Sequence, residues 1–483
     1  MLNIQSLSKK PNILIAIILA VFFFKGIFLV ALHPIFDGQD EARHYANIQY
    51  FSHSEDNYWD ESRENIKKDD DQLETYGFSE EIGKTSTAAD SEILRSEIFN
   101  TIRFSEGYDG KNEHAIRTEQ WASHIYSNKP EIIGGLQFYH HFLSFFEKTL
   151  SYQDILTRFF IFRIFSVFLA TIAIYISFLI AKNSGLSIKN SLLISTIISF
   201  HPKFSDYLTN INYDAFIIPI FFFFTLNGIL ALKNGPGWKN LSLMLLSAIL
   251  AFLTKGTGIV LFVAFIFLVF YLIFEKIKNG SPLRLRIFYF FSAICILCLG
   301  FFSKKYLPLQ NGMVKIFETF TEYIDKSLTL GKLALSSRTY WGNVGWVDSW
   351  LLSHFTNIIW IIQVISVIGL ILYFFTKNTP SYLPRKKYAI FFLGMIFALQ
   401  LSIRAFDWRV YVHEGIISLG TPGRYFLPNL VSHIILFYTG LGMLFHKIKK
   451  EHFFEYSLKL GAILMFSLSM YIIFDVIIYR FYL

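Results

Sequence analysis

Eleven long apolar runs set the terms for this chain of 483 residues: roughly 12–32, 156–181, 188–201, 213–232, 240–254, 257–275, 287–303, 354–376, 388–404, 425–446 and 456–479. A run of ~20 apolar residues is long enough to cross a bilayer as a helix. Inside hydrocarbon the backbone must satisfy its own N–H and C=O groups, so such runs fold as helices. The expected fold class is therefore all-α, a polytopic membrane protein of about 11 transmembrane helices. The runs 188–201 and 240–254 are short for full spans. Composition agrees, with 53% hydrophobic residues, 54 Phe and a mean hydropathy of +0.43. Lys9 and Lys10 precede the first run; its length and weak cleavage site mark it as a retained anchor.

Charge is unevenly spread. Residues 33–120 hold 21 Asp/Glu against 9 Lys/Arg, a net charge of −12 in a chain whose total is +8. Lys and Arg recur in the short loops 182–189, 233–239, 276–286, 377–387 and 447–451, each of which is basic. Basic short loops stay cytoplasmic. This orientation puts the N-terminus inside and the acidic segment outside, with the C-terminus outside as well. Scattered loop cations are not a nucleic-acid-binding stripe. Cys295 and Cys298 lie within an apolar run and read as packing residues.

We expect one transmembrane domain over 1–483 with two large extracytoplasmic loops, 33–155 and 304–353. In the first, "DNYWDESRENIKKDDDQLETYG" reads as a solvated excursion, partly disordered. Its far end, "IIGGLQFYHHFLSFFEKTL", reads as an interfacial helix.

Five polar stretches fall at the outer ends of the runs. "HPIFDGQDEARHY" (33–45) follows the first and predicts a helix from about 40. Asp40 and His44 are then i,i+4 neighbours, as are Glu41 and Tyr45. Adjacent residues diverge by ~100° on a helix, so only one of Asp40 and Glu41 faces a cleft squarely. These acids either favour a helix N-terminus or act as a base at the membrane surface. A divalent metal on Asp37, Asp40 and His44 is a third reading, without a diagnostic spacing.

"HPKFSDYLTNINYDAF" (201–216) places Asp206, Asn210, Asn212 and Asp214 in a short turn; Asn212 or Asp214 either caps the next helix or lines a site. "FLTKGTGIV" (252–260) sets Lys255 between two runs, where it either snorkels or meets a phosphate. "SSRTYWGNVGWVDSW" (336–350) carries Arg338, Trp341, Trp346 and Asp348, as an aromatic belt or a sugar-binding surface. "LGTPGRYFLPNL" (419–430) puts Arg424 and Tyr425 at a span entry; a guanidinium there anchors the helix or grips phosphate oxygens.

Together these stretches resemble the bacterial multi-span family known as DUF2142, through "DGQDEARHY", "INYDA", "LTKGTG", "YWGNVGWVD" and "GRYFLPNL" in that order. "DEARHYANI" also resembles the acidic motif of lipid-A aminoarabinose transferases and protein O-mannosyltransferases. The resemblance implies a GT-C-like glycosyltransferase in a bacterial inner (plasma) membrane with its site outside the cytoplasm. It implies transfer of a sugar from a polyprenyl-phosphate donor to a glycan, lipid or protein acceptor of the envelope. Asp40, then Glu41, are the implied bases. Lys255, Arg338 and Arg424 are the implied donor-phosphate ligands. Substrate contacts fall to His44, Tyr139, Asp214, Trp341, Trp346, Asp348 and Tyr425. No cofactor or metal is implied, and the partners are membrane lipid and substrates, not nucleic acid. The chain departs from the family at Ala42, where a Pro is usual, and at "GGLQFYHH", which replaces a Pro-Pro-rich motif. Two other readings stand beside this one: a transporter or flippase of an envelope precursor, and a surface-polysaccharide polymerase or ligase.

Overall fold

In a computed structural model, the described residues are 11–36, 38, 40–52, 79, 81–82, 85, 136–278, 312–342, 353–415 and 422–478. Their regular elements are helices, with no strand among the described residues. In chain order the helices are α1 (Pro11–Leu32), α2 (Glu41–Ser52), α3 (Phe138–Thr149), α4 (Ile155–Asn183), α5 (Ile188–Ser199), α6 (Pro202–Tyr207), α7 (Asp214–Asn234) and α8 (Trp238–Thr254). They continue with α9 (Val260–Lys278), α10 (Gly312–Ser327), α11 (Leu330–Trp341), α12 (Ser353–Phe375), α13 (Lys386–Glu414), α14 (Leu430–Lys447) and α15 (Glu451–Tyr471). A π-helical stretch, Ile472–Ile478, prolongs α15, and 3₁₀ turns at Gly256–Ile259 and Gly423–Asn429 lead into α9 and α14.

Ten of the eleven predicted runs are helices here, and 287–303 lies outside the described residues, as do Cys295 and Cys298. Among the described residues, eight helical spans have the length and apolarity to cross a membrane; α5 and α8 are shorter. The chain is thus an all-helical, multi-pass membrane protein. Local signals set the boundaries. Asp154 accepts from the Thr157 amide at 3.0 Å to start α4, and Ser187 accepts from that of Asn190 at 3.2 Å to start α5. Gly235 at φ +89° ends α7, a backbone angle that glycine adopts freely.

The centre of the bundle is α7, packed on α4 and α8, and α14 is also largely enclosed. By contrast, α12 leaves most of its surface bare, including Ile358, Ile361, Val367 and Ile371. A continuous apolar exterior of this kind suits contact with lipid chains. What holds α12 is close backbone contact: a Cβ on Gly440 would lie 2.0 Å from the Ser366 carbonyl oxygen. Small residues permit that approach, which lipid cannot rival in packing.

Part of the first loop folds back onto the bundle. The amphipathic α3 buries Tyr139, His140, Leu143 and Glu147 and packs on α2. The "DNYWDESRENIKKDDDQLETYG" stretch lies outside the described residues, but Ser79, Glu81, Ile82 and Thr85, just beyond it, are buried. Arg158 of α4 pairs with both Glu81 and Glu147, Tyr45 donates to Glu147 at 3.0 Å, and Gln49 donates to Glu81 at 2.8 Å. The acidic loop is therefore partly built into the protein, because two of its carboxylates neutralise a buried guanidinium.

Candidate functional site

The site begins with Arg163, a charge eight residues inside α4 that is fully buried. Its Nη1 donates to the carbonyls of Val30 (3.3 Å) and His33 (2.7 Å), and Nη2 to that of Pro34 (2.7 Å). Helix ends leave such carbonyls without intrahelical partners and carry partial negative charge. Nε and Nη2 also donate to the two oxygens of Glu41, at 2.9 and 2.7 Å. All five guanidinium N–H groups are spent.

Glu41 is equally committed. Its Oε1 accepts from the Ile211 amide at 2.8 Å and its Oε2 from the Gly38 amide at 3.0 Å. Gly38 has no room for a side chain, since a Cβ would lie 2.7 Å from both Asn210 Cγ and Glu41 Oε2. Glu41 thus ties the chain after α1 to the turn before α7. Glu41, expected as the second-choice base, has both oxygens held inside the protein.

Pinning Glu41 forces a tight turn, with Phe36 at φ +63° and Asp40 at φ +60°. Left-handed backbone is costly for most residues and tolerated by Asp. The turn aims Asp40 away from Glu41. Its Oδ2 lies 3.1 Å from Arg424 Nη2, and its side chain is 25% exposed. The other carboxylates nearby, Glu41, Asp206 and Asp214, are all buried.

Arg424 stands on the 3₁₀ turn before α14. That turn rests on α11: a Cβ on Gly423 would lie 2.3 Å from both Ser336 O and Tyr340 N, and the Gly423 amide donates to Thr339 Oγ1 at 2.7 Å. The guanidinium lies 5.9 Å from the Tyr207 ring centre and 5.1 Å from that of Tyr425. Nη2 also donates to Tyr425 Oη at 3.2 Å. Nε and Nη1 are buried without a partner among the described residues. A buried charged donor left unmet is costly, so this edge is suited to an oxyanion.

Lys255 turns inward instead of snorkelling. The helix breaks at Lys255, in extended conformation, and Gly258 packs so tightly on Ala251 that a Cβ would lie 2.2 Å from its carbonyl. Lys255 Nζ donates to both oxygens of Asp214, at 2.9 and 3.0 Å, and Tyr207 donates to Asp214 Oδ2 at 2.8 Å. Burial opposes the lysine charge, but Asp214, Tyr213 and Tyr425 outweigh it and raise the pKa above the ordinary value. The ammonium lies 4.3 Å from the centre of the Tyr213 ring, whose hydroxyl is pushed up to about 12, chiefly by burial. In the turn before α7, Asn212 accepts from the Ala215 amide at 3.1 Å and so meets one N–H of that helix's first turn.

His44 meets Tyr213 edge-on at 4.6 Å, and its Nδ1 lies 2.9 Å from His140 Nε2. Burial, with Lys255, Arg424 and Arg43 adding to it, pushes His44 down to about 3. His140 is also well below the usual range, from burial first and then His44. Tyr139 stands edge-on to His44 at 6.4 Å.

Thus Asp40, His44, Tyr139, Asp214, Lys255, Arg424 and Tyr425 form one contiguous cluster. Arg338 stands apart: it is exposed and donates to Asn357 Oδ1 at 3.2 and 3.4 Å. Its hydrogen-bond partner is thus on α12, away from the expected grouping with Lys255 and Arg424. Trp341 packs against His201 at 4.5 Å. Asp37, Trp346 and Asp348 lie outside the described residues. Among the described residues no group of His, Cys, Asp and Glu is placed to hold a metal. The sequence reading gave no site role to Arg163, Arg158 or Tyr207. A charge inside an apolar run was the available signal for the two arginines, since such a charge needs a buried partner.

Residues 155–302 match the family model of dolichyl-phosphate-mannose-protein mannosyltransferases. This stretch spans Arg163, the turn with Asp214, and Lys255. No curated protein and no solved structure matches the chain.

Two predictions follow from this geometry. Glu41→Gln leaves Arg163 buried without its counter-charge and should cost about 3–5 kcal/mol; thermal unfolding in detergent should show a large drop, and an unchanged midpoint would contradict the pairing. His44 and His140 are neutral in the fold, whereas an unfolded histidine gains a proton below about pH 6.5. Stability from these rings is thus complete above that pH and is lost as pH falls from it towards the folded value of about 3 for His44. The melting temperature should fall steadily from pH 6.5 to 5, and less steeply in His44→Asn/His140→Asn.

Proposed function

We propose that this protein is a membrane glycosyltransferase that uses a polyprenyl-phosphate-linked sugar donor at the extracytoplasmic end of its bundle. One observation carries the reading: the partly open carboxylate of Asp40 lies against a guanidinium, Arg424, that has two buried nitrogens, Nε and Nη1, unspent. The match to the mannosyltransferase model and the DUF2142-like motifs support the same class. The basic loops at the opposite ends of the spans support the orientation. Charges within the spans support an enzyme over a transporter, since Arg163 is fully engaged and Lys25 is bonded to Ser199 O and Ser205 Oγ at 2.6 and 2.7 Å.

The chemistry needs a base and a stabilised leaving group. An acceptor hydroxyl attacks the anomeric carbon as the bond from that carbon to the phosphate oxygen breaks. The electron pair leaves on the polyprenyl phosphate, and the hydroxyl proton passes to Asp40. Arg424 stabilises the negative charge that grows on the departing phosphate, the place where preorganised donors help most. Asp40 and Arg424 touch, so a donor phosphate competes for the guanidinium and releases the carboxylate for the acceptor. Attack opposite the leaving group inverts the sugar carbon. Tyr207, Tyr213 and Tyr425 supply aromatic faces for the ring. The acceptor is an envelope glycan, lipid or protein.

Asn tolerates left-handed backbone as Asp does, so Asp40→Asn tests the charge without disturbing the turn. In proteoliposomes supplied with polyprenyl-phosphate mannose, this variant should lose about 10²–10⁴-fold in transfer while keeping its melting temperature. Arg424→Ala should raise the donor KM far more than the acceptor KM. Transfer by Asp40→Asn at the unmutated rate would remove the catalytic assignment.

A further inference from the structure

A second under-bonded cation stands beside Arg424. Lys203, on the two-turn helix α6, is buried. Its ammonium has three N–H groups, and among the described residues its hydrogen-bond acceptor is Asp206 Oδ2, at 3.2 Å. The other oxygen of Asp206 faces His33 Nε2 at 3.4 Å. Lys203 Nζ lies 5.5 Å from the centre of the Tyr207 ring, the same ring that Arg424 approaches to 5.9 Å. Two buried cations thus meet at one aromatic ring, and each keeps N–H groups without an acceptor.

That arrangement is unfavourable by itself. Like charges repel strongly where water is excluded, and unmet charged donors add a desolvation cost. An oxyanion offering several acceptor oxygens to both cations relieves the two at once. Lys255 differs, because its Asp214 partner takes it through two contacts and is itself closed by Tyr207. Burial lowers the Lys203 pKa, Asp206 opposes that, and the charge of Arg424 adds to the lowering.

We infer that Lys203, rather than Lys255, is the second phosphate ligand of the site, gripping with Arg424 the phosphate of the lipid-linked donor. This rests on the glycosyltransferase reading above and assigns Lys255 to positioning, through Asp214, Tyr207 and Tyr213.

The obvious variant, Lys203→Gln, removes a counter-charge from the buried Asp206 and risks misfolding. Lys203→Gln/Asp206→Asn removes both charges together. Binding of undecaprenyl phosphate and, separately, of inorganic phosphate to the full-length protein in nanodiscs is compared for this variant and the unmutated chain. We expect the double variant to keep its melting temperature and to bind undecaprenyl phosphate about tenfold or more weakly. Equal lipid binding by both proteins would show that Lys203 only neutralises Asp206 and would overturn this inference alone. Lysine-dependent binding of inorganic phosphate without the lipid would keep the anion site and overturn its lipid source. Binding of neither probe by the unmutated protein would overturn both this inference and the donor reading.

Discussion

The buried pair of Arg163 and Glu41 is the interaction on which this end of the molecule depends. One guanidinium takes carbonyls at and just beyond the end of α1 and fixes a carboxylate from the chain that follows. That carboxylate in turn holds the backbone before α7 through Ile211. Three segments distant in sequence are thereby locked in one register. The result is a forced left-handed turn at Asp40 that directs its carboxylate at Arg424. Neighbouring acids thus acquire opposite roles: one is sealed into the structure, and the other is partly open to water.

The same logic of paired charges recurs around the site. Lys255 meets Asp214, Arg158 meets Glu81 and Glu147, and Lys203 meets Asp206. A bundle in lipid gains little by burying one apolar helix against another, since lipid chains are equally apolar. Close backbone contacts, as at Ser366 and Gly440, and buried polar pairs supply specificity instead. Loop 33–155 follows this rule: what is described of it beyond α2 is fastened by Glu81 and Glu147.

Much of the fold was legible in the chain. Long apolar runs become helices because hydrocarbon allows the backbone little else, and the run lengths already marked α5 and α8 as short. The five polar stretches were legible as site candidates because each interrupts an apolar pattern. Pairing was not legible. Nothing local to "DEAR" tells which acid faces Arg163, because that partner lies 122 residues away. Lys255 looked free to reach the interface because Asp214, which draws it inward, is 41 residues earlier. Arg338 shares a motif with Trp341, yet helical geometry sends the two side chains to different neighbours. Sequence marks which residues are polar near a span end, while long-range packing decides which of them meet.

The account stands on a donor phosphate taking Arg424 away from Asp40. An experimental structure of the full chain in nanodiscs with undecaprenyl phosphate bound tests this most directly. The account predicts phosphate density against Arg424 Nε and Nη1, with Asp40 released from the guanidinium and facing open volume. A phosphate bound elsewhere, or bound while the Asp40–Arg424 contact stays closed, would contradict it.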